Sequence, residues 1–298
     1  MIRIHLAIDL HYLVQSSPGA DFLFNIQAAQ TRQQMLVHED LRVSQRVPLQ
    51  AHTDAATQTR LLRLSAQTGP LQVRYSATLD ITHHAVAPES VREVPVALLP
   101  PEVLVYLYPS RYCQSDCLTA QATALFGALP QGYGRVIAIR DWVRSQVRFQ
   151  SNTSNSMTSA LDTLNSHAGV CRDFAHLMIA MCRALNIPAR FTTAIDFGAD
   201  PALGPTDFHA YVEVYLDHRW YIVDPSGTAI PMGFVRIATG RDAADAAFAT
   251  IFGTVQSQAP RIDVSAQSGS PGGWSYPVHR AEALSTDAVF PWNEVNGA

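Results

Sequence analysis

Gly169-Val170-Cys171-Arg172-Asp173-Phe174-Ala175-His176 is the stretch that decides how this chain reads. From Phe174 onward, Phe174, Leu177, Met178, Met181, Cys182 and Leu185 recur at i, i+3, i+4, i+7, i+8 and i+11, one stripe of a 3.6-residue period. Asn186 and Pro188 stop the pattern. The spacing predicts a buried helix, and Cys171, three residues before Phe174, shares its inward face at the amino end. Helix amino ends carry unsatisfied N–H groups and about half a positive charge, which favour an anion. A thiolate is such an anion and is the nucleophilic form of cysteine. Gly169 would let a substrate backbone come close. His176 falls roughly 140° around the helix from Cys171, so it points elsewhere and is not the base.

Downstream, Phe208, Ala210, Val212, Val214 and Leu216 alternate with His209, Tyr211, Glu213 and Tyr215, the period of a strand. The apolar set predicts a covered face, leaving His209 on the other. A two-residue turn at Asp217-His218 would pair Leu216 with Arg219 and set Asp224 opposite Tyr211, on the face of His209. Diagonal neighbours of this kind lie within ~7–8 Å. Glu213 is about 13 Å along the strand and too far to orient the ring. Asp-His is not a favoured hairpin dipeptide, and a loop changed by one residue would turn Asp224 to the opposite face. On the two-residue register, Asp224 is the carboxylate partner of His209.

A thiol, an imidazole and a carboxylate in this order are what acyl transfer through a cysteine requires. Each also has an ordinary structural role: a small residue at a helix start, a polar strand residue, an Asp-Pro turn former. Order and placement together favour chemistry. An oxyanion donor is needed as well; the Cys171 N–H is one candidate, and Asn152 and Asn155 both stay open as the second.

At 298 residues the chain is roughly two domains long. Its first eighty-odd residues are strand-like. Ile2, Ile4, Leu6, Ile8 and Leu10 alternate with polar neighbours, as do Leu71, Val73, Tyr75, Ala77, Leu79 and Ile81. Shorter runs at 22–26, 34–41 and 61–64 suggest an antiparallel sandwich. Prolines at 88, 95, 100, 101 and 109 mark a connector. Helical patterns follow at 117–129 and 133–147, and 152–159 reads as a loop. A turn and short helix are expected at 240–245, capped by Asp242, then a last strand at 255–264. The expected division is a β-sandwich over 1–84, a connector over 85–109, a catalytic unit over 110–264 and an irregular tail over 265–298, draped over the surface or poorly ordered.

A net charge of −4 with no clustered Lys or Arg argues against nucleic-acid binding. No apolar run approaches the ~20 residues of a membrane helix. The start lacks the apolar block of a secretory signal, so a cytoplasmic protein is expected. The four cysteines are too few for a disulfide scaffold. Cys113 and Cys117 match half of a metal site, but no second Cys/His pair follows nearby, so neither metal nor cofactor is expected. Cys182 lies on the apolar stripe and reads as an inert buried thiol.

The blocks 169–176, Asp207-Phe208-His209-Ala210-Tyr211-Val212-Glu213 and Trp220-Tyr221-Ile222-Val223-Asp224-Pro225 resemble those of the bacterial transglutaminase-like superfamily, often described as candidate cysteine proteases. Tyr108-Pro109-Ser110-Arg111-Tyr112-Cys113 and Gly240-Arg241-Asp242-Ala243-Ala244-Asp245 are also similar to stretches of that group, as is a β-rich amino-terminal domain. Tyr211 departs conservatively from a common tryptophan. The resemblance implies an α+β, papain-like core behind an antiparallel β-sandwich. Cys171 would be the nucleophile, His209 the base and acid, and Asp224 the orienter. It implies a peptide or protein substrate and, in some members, a primary amine acceptor. A non-catalytic interaction module is the alternative, against which an intact triad speaks. A zinc hydrolase using His176 fails on the direction of that side chain.

Overall fold

In this computed structural model, residues 1–199, 202, 204–269 and 273–286 are described. The chain opens with five strands, β1 (Ile2–Phe24), β2 (Gln34–Val43), β3 (Gln50–Thr53), β4 (Arg60–Ile81) and β5 (His84–Val86). A mixed middle follows: α1 (Pro101–Leu104), α2 (Ser115–Phe126), α3 (Tyr133–Gln146), β6 (Arg148–Phe149), α4 (Ala160–Ser166), β7 (Ala168–Gly169) and α5 (Cys171–Ala184). Then come β8 (Ala189–Asp196), β9 (Phe208–Leu216), β10 (Arg219–Val223) and β11 (Phe234–Gly240). The last strands are β12 (Ala249–Phe252), β13 (Val255–Ser257), β14 (Arg261–Gln267) and β15 (Ala283–Ser285).

The alternation in β1 and β4 buries Ile2, Ile4, Leu6, Ile8 and Leu10 against Leu71, Val73, Tyr75, Leu79 and Ile81. The strands pair antiparallel from Ile2↔Ile81 to Phe24↔Leu62, with a bulge between Val14 and Gly19. The runs at 22–26 and 61–64 are therefore not separate strands but continuations past that bulge. A bulge bends a strand without ending it. Tyr12 and Phe22 prove the bend: their ring centroids are 5.2 Å apart, whereas ten residues of straight strand span about 33 Å. The two layers of the amino-terminal unit are halves of one folded sheet.

The expected boundary at residue 264 falls inside β14, which pairs with β1 from Arg3↔Gln267 to Asp9↔Arg261. β12 and β13 pair with β1 as well. The C-terminal segment thus closes the amino-terminal sheet. Local patterning cannot reveal a partner so distant in sequence, and β14 is only half-buried on its better face. Residues 273–282 are mostly exposed, the Arg3 guanidinium lying 3.9 Å from the Trp274 ring centroid. β15, however, pairs with β5 and is buried, which corrects the expectation of a wholly irregular surface tail. Residues 270–272 and 287–298 of the expected tail lie outside the described residues.

The second sheet has the order β10-β9-β8-β11. α5 packs against β9 and β8 and is surrounded by α2, α3 and α4. Every α5 residue from Asp173 to Arg183 is buried, and one apolar cluster runs from the first sheet through this helix into the second. Both faces of β9 are covered, His209 to Leu216 being buried throughout. This corrects the expectation of an open face. Val94, Leu99, Val103 and Tyr106 of the connector pack on Tyr215 and Trp220, and Phe234 of β11 stacks on Tyr211. No short helix follows Gly240. Asp242 instead holds a turn, its Oδ1 accepting from the Ala244 N–H at 2.9 Å and its Oδ2 from the Tyr112 N–H at 3.1 Å. Among the described residues no helix is long and apolar enough to cross a membrane.

Candidate active site

Cys171 is the first residue of α5 and is partly exposed. Asp173 fastens this helix start: its Oδ2 accepts the Val170 N–H at 2.9 Å, and its Oδ1 the Arg172 guanidinium at 3.0 Å. A Cβ on Gly169 would stand 2.7 Å from Asp173 Cβ. Glycine is needed there to admit the capping carboxylate, not to admit a substrate as the sequence suggested. The first N–H groups of a helix have no partner within it, which leaves those of Cys171 and Arg172 available to an oxyanion.

The hairpin behaves as its sequence predicts. Arg219 pairs with Leu216 and Val223 with Val212, so Asp224 follows opposite Tyr211. Asp217 and His218 have φ of +46° and +57°. Both lie in the left-handed region, the conformation that a two-residue I′ turn requires. Asp224 Oδ1 lies 3.5 Å from His209 Nε2. The same oxygen accepts from Ser226 twice, from its N–H at 2.9 Å and its hydroxyl at 2.7 Å. Asp224 therefore forms the turn and faces the His209 ring at once. Arg144 holds this turn from behind, donating to the backbone oxygens of Asp224 at 2.8 Å and Pro225 at 3.2 Å.

Charge follows from these contacts. Burial opposes ionisation of the Asp224 carboxyl, but His209 and the Ser226 hydrogen bonds outweigh it and hold Asp224 below the usual carboxylate range. Burial likewise opposes a charged His209, yet Asp224 and then Cys171, within hydrogen-bond reach, raise the ring's proton affinity well above the usual histidine value. An imidazolium is the favoured form. With Nε2 turned to Asp224, Nδ1 is the nitrogen left to exchange a proton with sulfur.

Cys171, His209 and Asp224, singled out in the sequence, thus come together. Asp196 joins them unannounced: its Oδ2 is 3.6 Å from His209 Nδ1. It ends β8 opposite Phe234, and no local pattern marks it. Only the placement of β8 beside β9 does. Ser226 and Arg144 were missed too, although Asp-Pro-Ser carries the signature of a side-chain-capped turn.

His176 serves structure. Its Nε2 accepts the Ala243 N–H at 3.1 Å, and its ring stacks on Tyr112 with centroids 5.0 Å apart. Burial, with Arg172 and Arg183 nearby, drives its pKa well below the usual value, so it is neutral. Arg183, also buried, donates to the carbonyl oxygens of Ala189, Tyr108 and Arg241. The two flanking blocks of the sequence are the collar of α5. All four cysteines are free; Cys113 is buried and Cys117 exposed, and burial pushes the Cys113 thiol up to about 12. Asn155 belongs to its own turn, its Oδ1 accepting from the Met157 N–H at 2.7 Å and its backbone oxygen from Arg172 at 2.6 Å. Asn152 sits in the same loop with φ of +63°.

A cysteine opening a buried helix, beside an antiparallel sheet carrying histidine and aspartate, defines a thiol-enzyme fold of the α+β type. Comparison with known proteins agrees. The family model of the transglutaminase-like superfamily matches residues 120–225, and that of the bacterial transglutaminase N-terminal domain matches 2–102. A crystal structure from Cytophaga hutchinsonii, described as a candidate cysteine protease, is 37% identical with a TM-score of 0.86, covering 95% of this chain and 97% of that one. The periplasmic domain of TgpA from Pseudomonas aeruginosa aligns at 18% identity and a TM-score of 0.40, over 76% of this chain and 91% of that one. An uncharacterized protein of Mycobacterium leprae is 29% identical over 116 residues, which span 38% of this chain and 42% of that protein. The chain belongs to the transglutaminase-like superfamily.

Proposed function

We propose that this protein is a cysteine-dependent amide hydrolase or acyltransferase acting on peptide or protein amides. Cys171 sulfur attacks the amide carbonyl, and the first-turn N–H groups of α5 take up the developing oxyanion charge. His209 gives its Nδ1 proton to the departing amine, leaving a thioester on Cys171. The neutral ring then takes a proton from the acceptor, water or an amine, as that acceptor attacks the thioester. Asp224 keeps the ring oriented and its charge compensated throughout.

One observation carries this reading: a buried imidazole bracketed by Asp224 at 3.5 Å and by the Cys171 thiol, which both raise its proton affinity. The test is incubation with a glutamine-bearing peptide, with and without a primary amine. Ammonia release alone marks deamidation, amine incorporation marks transamidation, and shortened peptides mark proteolysis. Cys171→Ala should abolish whichever product forms, at least about a thousandfold, with unchanged circular dichroism. Activity surviving in that variant removes the mechanism.

A further inference from the structure

We propose that Asp196 is a specificity-determining residue that makes the thioester of this site prefer a cationic primary amine over water as acceptor. The inference rests on the thioester reading above and narrows it from hydrolase or transferase to transferase.

The geometry is specific. Ala194 pairs with His209 across β8 and β9, and Asp196, two residues on, lies on the same face of the sheet. This brings its Oδ2 to 3.6 Å from Nδ1, the nitrogen that serves the sulfur. The residue is 3% exposed, and its Oδ1 has no hydrogen-bond partner among the described residues. A buried carboxylate oxygen without a partner is unfavourable, and native structures keep few such atoms without a functional reason. Orienting the ring is not that reason, because Asp224 already does so from Nε2. Nor does Asp196 serve the fold through any cation other than His209: no arginine or lysine is paired with it among the described residues.

What remains is the acceptor. Any nucleophile that attacks the thioester must stand where Nδ1 can take its proton, and that place is beside Asp196. An attacking amine forms a bond from its lone pair to the acyl carbon and carries a full positive charge until a proton leaves. The C–S bond then breaks, sulfur departs as thiolate, and the amine proton goes to Nδ1, restoring the ion pair. A second N–H of the same amine meets the Asp196 carboxylate, whose proton affinity burial and Asp224 raise and His209 lowers; the carboxylate itself takes no proton in the step. Attack by water develops less positive charge on the nucleophile, so a fixed carboxylate favours the amine. The same charge draws ammonium ions toward the site before reaction; each first releases one proton to solvent, which frees the lone pair that attacks.

The test measures partition. With benzyloxycarbonyl-glutaminyl-glycine as acyl donor and cadaverine as acceptor, Asp196→Asn should lower the ratio of amine transfer to hydrolysis at least tenfold. Hydrolysis without amine, which uses the same His209 proton, should fall by a clearly smaller factor than transfer, and the extra loss should fall on the constants for cadaverine rather than for the donor. In the unaltered protein, cadaverine should outcompete glycine, whose carboxylate would face Asp196, by at least tenfold. An unchanged partition ratio in Asp196→Asn, a parallel loss of both reactions, or equal use of cadaverine and glycine overturns the proposal. A protein in which Cys171 is never acylated by this donor, or by an activated ester, overturns the thioester reading beneath it, which is a distinct result.

Discussion

Asp224 and His209 meet across one diagonal step of the β9–β10 hairpin, Oδ1 standing 3.5 Å from Nε2, although the residue directly opposite Asp224 is Tyr211. The step depends on Asp217 and His218 both adopting left-handed backbone. A turn longer or shorter by one residue would send the carboxylate to the other face. The meeting of Asp224 with His209 is thus set by turn chemistry seven residues from the acid.

Asp224→Asn removes the largest contribution that raises the proton affinity of His209. Burial then acts with less opposition and lowers it. If the imidazolium is the proton donor to the leaving amine, activity is lost on the alkaline side as the ring deprotonates. The variant should therefore lose at least about a hundredfold in kcat/KM, and its alkaline limb should move to lower pH. A pH profile of kcat/KM from 5 to 10 reads both. An alkaline limb left in place would show that Asp224 does not govern this proton.

Ser226→Ala deletes a 2.7 Å hydroxyl bond to the oxygen of Asp224 that faces the ring, while the Ser226 N–H bond to it remains. Hydrogen bonds to charged groups contribute about 1.5–3 kcal/mol. Part of this is recovered through the remaining bond, so a fall in kcat of about threefold to tenfold is expected, with stability altered by less than about 1 kcal/mol. Steady-state rates beside urea melts separate the two effects.

Arg183 is the buried pin between α5 and its collar. Arg183→Met keeps the apolar stem but strips three backbone carbonyl oxygens of their donor. The Ala189 oxygen is buried and, left unsatisfied, costs about 1–3 kcal/mol, whereas Tyr108 and Arg241 are exposed residues. A loss of about 1–3 kcal/mol in unfolding free energy is therefore expected. Chemical denaturation measures it. Activity per folded molecule should hold, because Arg183 stands at the opposite end of α5 from Cys171.

Much of the site was legible because it depends on local rules. The α5 stripe, the amino-end position of Cys171 and the hairpin register all follow from spacing within a few residues. Asp196 was not legible, since its role depends on β8 lying beside β9 and on no motif of its own. The same holds for β14, whose partner β1 begins more than two hundred residues earlier. The bulge between Val14 and Gly19 hid the continuity of β1 behind Ser, Pro and Gly, residues that normally mark an ended strand. α4 was missed despite a capping box, Ser159 with Asp162, written in its first turn. Asp242 was misread for the opposite reason: an N-cap residue type stood in a turn whose side-chain oxygens serve Tyr112 and Ala244.

The two buried histidines of the core should give stability opposite dependences on pH. His176 has a folded pKa well below its unfolded value near 6.5, through burial first and then Arg172 and Arg183. Above about pH 6.5 both states are neutral there and its contribution is full. Below it the unfolded chain binds a proton that the folded chain refuses, so stability falls by up to about 1.4 kcal/mol per pH unit. His209 is the reverse. Its folded pKa lies well above the unfolded one, because Asp224 and Cys171 outweigh burial. Its contribution is full below about pH 6.5 and is lost as pH rises through the folded value. Urea midpoints measured from pH 5 to 9 should therefore peak near neutrality. His176→Gln should reduce the acid slope, the remainder including His83, whose pKa burial lowers to about 4, and His209→Gln should flatten the alkaline side alone. If His176→Gln leaves the acid slope untouched, the ring is not held neutral in the folded protein, and the stacking on Tyr112 must tolerate a charge.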